Sequence, residues 1–380
     1  MMAGVSVAFR ADASATIGTG HVVRCLRLAS ELRGHGIESW FVCQDLPGNL
    51  SDLIETHEFG ISRIRLHSGN SPSLEPAVAL TTGDAWEQDA LATRAALESA
   101  GVRPDWIVVD HYALDARWER AVRPSAGRVM VIDDLADRAH ACDVLLDQNY
   151  FMDPKQRYFG RVPDTCQLLL GPRFALLHPA YRTYREGREP RDGTVRRVLV
   201  FFGGADPQDM SGLTLETLSQ HEFRHLRVDL VCGRDRPRRA ELERQAAGRP
   251  GTAVHGPRPH LADLMASADV SIGAGGSTTW ERMCLGVRSL VITVAANQEP
   301  LARSLADEGL ITLIGRSTDV AVADVGRALS DEIHCRSRRD SVARGMALCD
   351  GLGTPRVADV LIRGLARATA SAGRTSMELG

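Results

Sequence analysis

Two hydrophobic rhythms alternate along the chain. Short β-branched runs, VSVAF (5–9), SWFVCQ (39–44), ISRIRL (61–66), DWIVVD (105–110), RVMVID (128–133) and DVLLD (143–147), read as buried strands. Between most of them lie stretches of helical period. HVVRCLRLASELRGHG carries Val22, Leu26, Ala29 and Leu32 on one face, with Gly34 and Gly36 as the stop. A second such stretch is DAWEQDALATRAALESAG (84–101). The segment RTYREGREPRDGTVRR (182–197) breaks the rhythm. It is polar, Arg-rich and interrupted by Pro190 and Gly193, which predicts a linker.

The alternation then resumes. RRVLVFF (196–202), LRVDLVCG (226–233), DVSIGA (269–274), SLVITV (289–294) and ITLIG (311–315) read as strands. LTLETLSQ, PRRAELERQAAG, TTWERMCLG and QEPLARSLADEG read as helices, and two or three more close the chain. Strand and helix in alternation predict parallel, doubly wound sheets. The expected fold class is therefore α/β, with two Rossmann-like domains facing across a cleft. The boundaries expected are 1–183 and 184–367, with a disordered tail over 368–380. Ligands of open α/β sheets bind beyond the carboxyl ends of the strands, so the residues just after each strand are the candidates for chemistry.

Composition narrows the classes. With 44% apolar and 24% charged residues, the 380-residue chain has a globular profile long enough for two domains. A net charge of −3 offers no basic surface for nucleic acid or for an anionic membrane. Lys155 is the sole lysine, which excludes a P-loop or Schiff-base lysine elsewhere. Eight cysteines without a CxxC spacing, mostly inside apolar runs, read as free thiols. The N-terminus has no signal-peptide pattern and no apolar run reaches the length of a membrane span, so a cytoplasmic protein is expected. The expected partner is a small-molecule substrate, and the expected state a monomer.

In AFRADASATIGTGH, after the first strand, Gly18 and Gly20 permit unusual torsions and close ligand approach. His21 follows in the first helical turn. It either caps the helix or serves as a base, since the positive end of the helix dipole disfavours imidazolium. VVDHYALD places Asp110, His111 and Tyr112 at another strand end, as cap and surface residues or as site residues. VIDDLADR ends in two acids. Without further ligands at fixed spacing, helix capping by Asp134 is expected there. In the second half FFGGADP holds Gly203, Gly204 and Asp206. GAGGSTTWE sets Gly275, Gly276, Ser277, Thr278 and Thr279 at a helix start, as an anion site suited to a diphosphate, with Glu281 near ribose hydroxyls. VAANQEP adds Asn297 and Gln298 as neutral polar contacts. HEFRH (221–225) matches the zinc-protease pattern, but it stands at a helix end before a strand and is expected to be a chance match.

RADASATIGTGHVVRCLRLASEL, VVDHYALDARWE, VIDDLADRAHACDVLLDQNY, LLGPRFALLHPAY, VFFGGADP, GAGGSTTWERMCLG and AANQEPLA resemble, in order and spacing over about residues 5–310, the PseG family. These are the UDP-2,4-diacetamido-2,4,6-trideoxy-β-L-altropyranose hydrolases of pseudaminic acid biosynthesis. The resemblance implies a GT-B fold related to MurG, no metal and no cofactor. It implies His21 as the base that activates water to attack C1, with UDP leaving and inversion at C1. Asp12, Gly18, Gly20, Tyr112, His178, Gly204, Gly276, Ser277, Thr278, Glu281, Asn297 and Gln298 are the implied substrate contacts. Two positions depart from the family pattern: Arg288 stands where a proline is usual, and His178 where an arginine is common. The alternatives are a glycosyltransferase of the same fold, moving the sugar to another acceptor, and a binding module that keeps the 275–297 loops without needing His21.

Overall fold

The computed structural model describes residues 5–14, 17–66, 85–187, 191, 193–204, 206–233, 236–335 and 339–377. The first half supplies β1 (Val5–Ala11), α1 (Gly20–Gly34), β2 (Glu38–Gln44), α2 (Ser51–Thr56), β3 (Gly60–Ile64), α3 (Ala85–Ser99), β4 (Trp106–Asp110), α4 (Ala116–Val122), β5 (Arg128–Ile132), β6 (Val144–Asp147), β7 (Gln167–Leu170) and α5 (Pro179–Glu186). The second supplies β8 (Arg197–Phe201), α6 (Met210–Leu218), β9 (Arg227–Val231), α7 (Arg236–Ala247), β10 (Thr252–His255), α8 (Ala262–Ser267), β11 (Val270–Ala274), α9 (Thr278–Cys284), β12 (Arg288–Thr293), α10 (Glu299–Asp307), β13 (Thr312–Arg316), α11 (Val322–His334), α12 (Arg339–Leu348) and α13 (Gly353–Met377).

The strands form two parallel sheets, ordered β3-β2-β1-β4-β5-β6-β7 and β10-β9-β8-β11-β12-β13. Each order reverses direction once, between β1 and β4 in the first sheet and between β8 and β11 in the second. Such a switch point opens a crevice at the carboxyl ends of the strands. In register, Ala11 lies opposite Asp110 in the first sheet and Phe201 opposite Gly273 in the second. The loops singled out in the sequence, 12–20 and 110–112, then 202–209 and 275–278, leave the sheets at these two points.

The chain divides into two compact units. One comprises residues 1–149, 153–176 and 353–380, the other 150–152 and 177–352. The sequence reading divides the chain at 183/184, keeps 184–367 together and treats 368–380 as a tail. The difference comes from α13, which runs to Met377 and packs with the first unit. Val357, Ala358 and Leu361 of α13 are fully buried in the core built by Leu28, Leu32, Phe9 and Phe41. Val357 and Leu361 each contribute about 1.5–3 kcal/mol of burial, and the Ala358 methyl less. A Cβ on Gly364 would lie 2.5 Å from the Trp106 ring, so a glycine is needed for the helix to come this close. Trp106 Nε1 also donates to the Leu361 carbonyl at 3.2 Å.

The opposite face of the first sheet packs Val109, Leu145 and Val131 against Leu97 of α3 and Trp118 of α4. The second unit has its own core, with Val200, Leu230, Ile272 and Ile292 from the sheet and Leu215, Leu242 and Leu329 from helices. Part of the expected linker is helical, because α5 extends to Glu186. Residues 188–190 and 192 of that stretch lie outside the described residues. Two strands, β7 (QLLL) and β10 (TAVH), are only four residues long, too short for a period to stand out in the sequence.

Candidate functional site

In the first unit α1 starts at the switch point, and its first turn brings His21 beside the end of β4. His21 Nδ1 lies 2.5 Å from Asp110 Oδ1. Arg24, one turn on, donates Nε to Asp110 Oδ2 at 2.5 Å and Nη2 to Oδ1 at 2.6 Å. Asp110 is completely buried. Burial alone would raise its pKa, but Arg24 and then His21 hold it well below the usual carboxylate range. An ionised carboxylate can only accept, so Nδ1 of His21 carries the proton. His21 Nε2 has no hydrogen-bond partner among the described residues.

Tyr112 meets the His21 ring edge-on, with centroids 4.5 Å apart. Its hydroxyl donates to Asp134 Oδ2 at 3.3 Å. Asp134 also receives Arg24 Nη1 at 2.8 Å and Asn149 Nδ2 at 3.1 Å. The sequence reading gives Asp134 a helix-capping role and leaves capping open for Asp110. The structure corrects the first and decides the second. No helix starts after β5, and both acids hold Arg24 in place. Arg24 is the overlooked signal: a charged residue on the buried face of α1, three positions after His21.

Asp12 lies in a second buried cluster. It takes Arg10 Nη1 at 2.6 Å, Arg10 Nη2 at 2.9 Å and the Gln44 N–H at 2.7 Å. His111 Nε2 is 3.3 Å from its Oδ2. Since His111 Nδ1 accepts the Ala113 N–H at 3.0 Å, its proton sits on Nε2 and points to Asp12. Arg10 bridges onward to Asp89 at 2.5 Å. Both oxygens of Asp12 are thus engaged within the unit.

Between the two clusters, Gly18 has φ of +82° and exchanges backbone hydrogen bonds with Ser14, at 2.9 and 3.4 Å. A side chain at Gly20 would meet nothing within 4 Å. Open space therefore lies directly before His21.

In the second unit Gly204 is exposed, and Asp206 accepts the Met210 and Ser211 N–H groups at 2.9 Å each, fixing the start of α6. After β11 the Gly275 N–H is not free. It donates to Gln298 Oε1 at 3.2 Å, which also takes the Val294 N–H at 3.1 Å. Gln298 thereby ties the 275 loop to the 294 loop. The N–H groups of Gly276, Ser277 and Thr278 have no acceptor among the described residues, and Ser277 is exposed. Beside them Arg282 is 1% exposed and donates to the Ala274 carbonyl at 2.8 Å and Thr279 Oγ1 at 3.0 Å. Burial, partly offset by Glu281, lowers its pKa to about 10. Glu281 is buried and Asn297 exposed.

The two departures from the family pattern each have a structural role. His178 caps α5 by accepting the Ala180 N–H at 3.2 Å, and its ring lies 4.7 Å from that of His260. Arg288 pairs with the buried Glu332 at 3.2 Å and donates to the Gly193 carbonyl at 3.0 Å. HEFRH falls on a single 3-10 turn (His221–Phe223) with both histidines exposed. Among the described residues no cluster of three or more His, Cys, Asp or Glu could hold a metal. No helix among them is long and apolar enough to cross a membrane.

No protein-family model matches the chain. Among curated proteins it is 24% identical to the spore coat polysaccharide biosynthesis protein SpsG of Bacillus subtilis over 363 residues, 92% of this chain and 96% of that protein. It is also 24% identical over 305 residues to the UDP-2,4-diacetamido-2,4,6-trideoxy-beta-L-altropyranose hydrolase of Campylobacter jejuni, 80% of this chain and 97% of that protein. Among solved structures, MurG of Acinetobacter baumannii superposes with a TM-score of 0.63 at 14% identity, covering 94% of this chain and 99% of MurG. The glycosyltransferase of kitacinnamycin superposes with a TM-score of 0.63 at 19% identity, covering 96% and 100%. Topology, motifs and relatives agree: the chain has the GT-B fold and resembles the PseG family of UDP-sugar hydrolases.

Proposed function

We propose that the protein acts on UDP-sugars and hydrolyses a UDP-linked 2,4-diacetamido-2,4,6-trideoxy sugar at the anomeric C–O bond. The observation that carries this reading is the His21–Asp110 pair. It presents an imidazole with its Nδ1 proton committed and its Nε2 lone pair available, beside the open space at Gly20. In this reading Nε2 takes a proton from water as the water oxygen bonds to C1. The bond from C1 to the diphosphate oxygen breaks, UDP leaves and C1 inverts. Asp110 stabilises the imidazolium that forms, and Arg24 keeps Asp110 ionised. Tyr112, steered by Asp134, contributes a wall beside His21. Asp12 keeps His111 and Arg10 in place under the 12–20 loop.

The leaving group needs donors of its own. The unpartnered N–H groups of Gly276, Ser277 and Thr278, with the Arg282 charge close by, suit a diphosphate. Glu281 is assigned to the ribose and Asn297 to the sugar. Gln298 acts by holding the two loops together. His178 and Gly204 remain substrate contacts on the resemblance alone. The pathway assigned with the substrate is pseudaminic acid biosynthesis.

The second reading is a glycosyltransferase, in which a sugar hydroxyl replaces water. It is favoured by the glycosyltransferase structures of the same fold. Turnover of the UDP-sugar in ¹⁸O-water separates the two. Label on the anomeric oxygen of the free sugar is the expected result. Label on UDP would mean P–O cleavage and would overturn the mechanism. Turnover that starts only when an acceptor is added would favour the transferase.

A further inference from the structure

A thiol pair in the first unit plays no part in the chemistry above. Cys142 lies two residues before β6 and Cys166 one residue before β7. These strands are hydrogen-bonded neighbours with Val144 opposite Gln167. The segments that enter these strands bring the two cysteines together, one residue out of register, with Sγ atoms 3.6 Å apart. Cys142 is buried in the cluster that also holds Val129, Val131, Leu145 and Tyr158. Cys166 is partly exposed. The two thiols share a hydrogen bond in which either sulfur can be the donor, and this contact holds the pKa of Cys166 down and, with burial, that of Cys142 up.

A second pair provides an internal control. Cys284 and Cys349 also interact, but both are buried, at 0% and 1% exposure. Redox-sensing thiols combine thiolate character, solvent access and a neighbouring resolving thiol. Among these two pairs only Cys142–Cys166 combines all three.

We propose that Cys166 and Cys142 form an oxidative modification site, closed to a disulfide by peroxides. The Cys166 thiolate attacks one peroxide oxygen. An S–O bond forms, the O–O bond breaks and, with one proton, water leaves. Cys142 sulfur then attacks the sulfenic sulfur. The S–S bond forms, the S–O bond breaks and a second water leaves. Two thiols are oxidised and one hydrogen peroxide is reduced to two waters. Closing from 3.6 Å to a bond needs about 1.5 Å of approach. The ring so formed encloses Asp147, Asn149 and Arg157, whose side chains brace Asp134 and the loop after β6. The proposal is independent of the nucleotide-sugar reading.

The test uses the full chain, reduced, then treated with equimolar hydrogen peroxide. Free thiols are alkylated in denaturant and peptides mapped without reductant. The expected product is a linked peptide pair containing Cys142 and Cys166, formed at least ten times faster than any link between Cys284 and Cys349. In Cys142→Ala the same dose should leave Cys166 as a sulfenic acid that dimedone traps. In Cys166→Ala no sulfenic acid should form at Cys142. Comparable rates for the two pairs, or a Cys166 no more reactive than the partly exposed Cys335, would overturn the assignment. The wild-type map decides the question even if a variant fails to fold.

Discussion

Arg10 and Arg24 in the first unit and Arg249 and Arg282 in the second are all buried, yet their partners differ in kind. Arg10 and Arg24 face carboxylates, and their pKa values rise in spite of burial. Arg249 donates to the carbonyls of Leu218, Phe223 and Leu226, and Arg282 to Ala274 and Thr279. Neither of these guanidiniums meets a carboxylate hydrogen-bond partner among the described residues. Burial lowers both of their pKa values. Arg10 and Arg24 are thus locked into mutually neutralised pairs that fix the side chains around them, His21 among them. In the second unit Arg282 keeps its charge without a carboxylate partner beside the Gly276–Thr278 N–H groups, while Arg288 is paired with Glu332 as the arginines of the first unit are with their acids. The two units share a strand order and differ in how they use its switch point.

The largest test of this contrast removes one cation from each unit. Arg24→Ala strands Asp110 and Asp134, and breaking a buried pair from one side costs about 3–5 kcal/mol. Arg282→Met strands no carboxylate and leaves two carbonyl or hydroxyl acceptors unpaired, a cost of about 1–3 kcal/mol. Urea unfolding should rank them in that order. Trp106 and Trp118 report on the first unit and Trp280 on the second. Equal costs would erase the distinction. Arg282→Met should also weaken UDP binding, whereas Arg24→Ala should not.

Proton linkage gives the next largest effect. His140 Nδ1 lies 2.6 Å from Glu119, and Nε2 is 3.6 Å from Asp133, an ion-pair distance rather than a hydrogen bond. Burial would lower the His140 pKa, but Asp133 and Glu119 raise it to about 9. A folded pKa above the unfolded value of about 6.5 gives stability that is fully present below pH 6.5 and lost as pH rises toward 9. Asp110 has the opposite sign. Its pKa is depressed, so its contribution holds above about pH 4 and falls away only in acid. The first unit should therefore lose stability between about pH 6.5 and 9, and His140→Gln should flatten that slope. An unchanged slope in the variant would remove His140 from the account.

The smallest effect on stability belongs to the glycine loop. Gly20→Ala meets open space and should leave the unfolding midpoint unchanged. Gly18→Ala forces an L-residue to φ of +82° and should cost about 1 kcal/mol. If a sugar occupies the space before His21, Gly20→Ala should still raise KM. An unchanged KM would place the sugar elsewhere.

Much of this was legible in the sequence, because each strand–helix step is a local pattern. The runs at 39–44, 105–110 and 269–274 fall on β2, β4 and β11 within a residue or two. The helix face of Val22, Leu26 and Ala29 is buried as its spacing predicts. What was not legible depends on distant residues meeting. Asp110 reaches His21 across 89 residues only because β4 lies beside β1. Gln298 spends its carbonyl on Gly275 only because β11 and β12 are neighbours. The return of α13 to the first unit is equally non-local, since its apolar stripe would fit either core.

The most direct test of the central claim is to replace His21 by Ala and measure hydrolysis of the UDP-sugar and UDP affinity on the same preparation. The account predicts that kcat falls about 10²–10⁴-fold while UDP binds as to the wild type. Hydrolysis at the wild-type rate would contradict the assignment of His21 as the base.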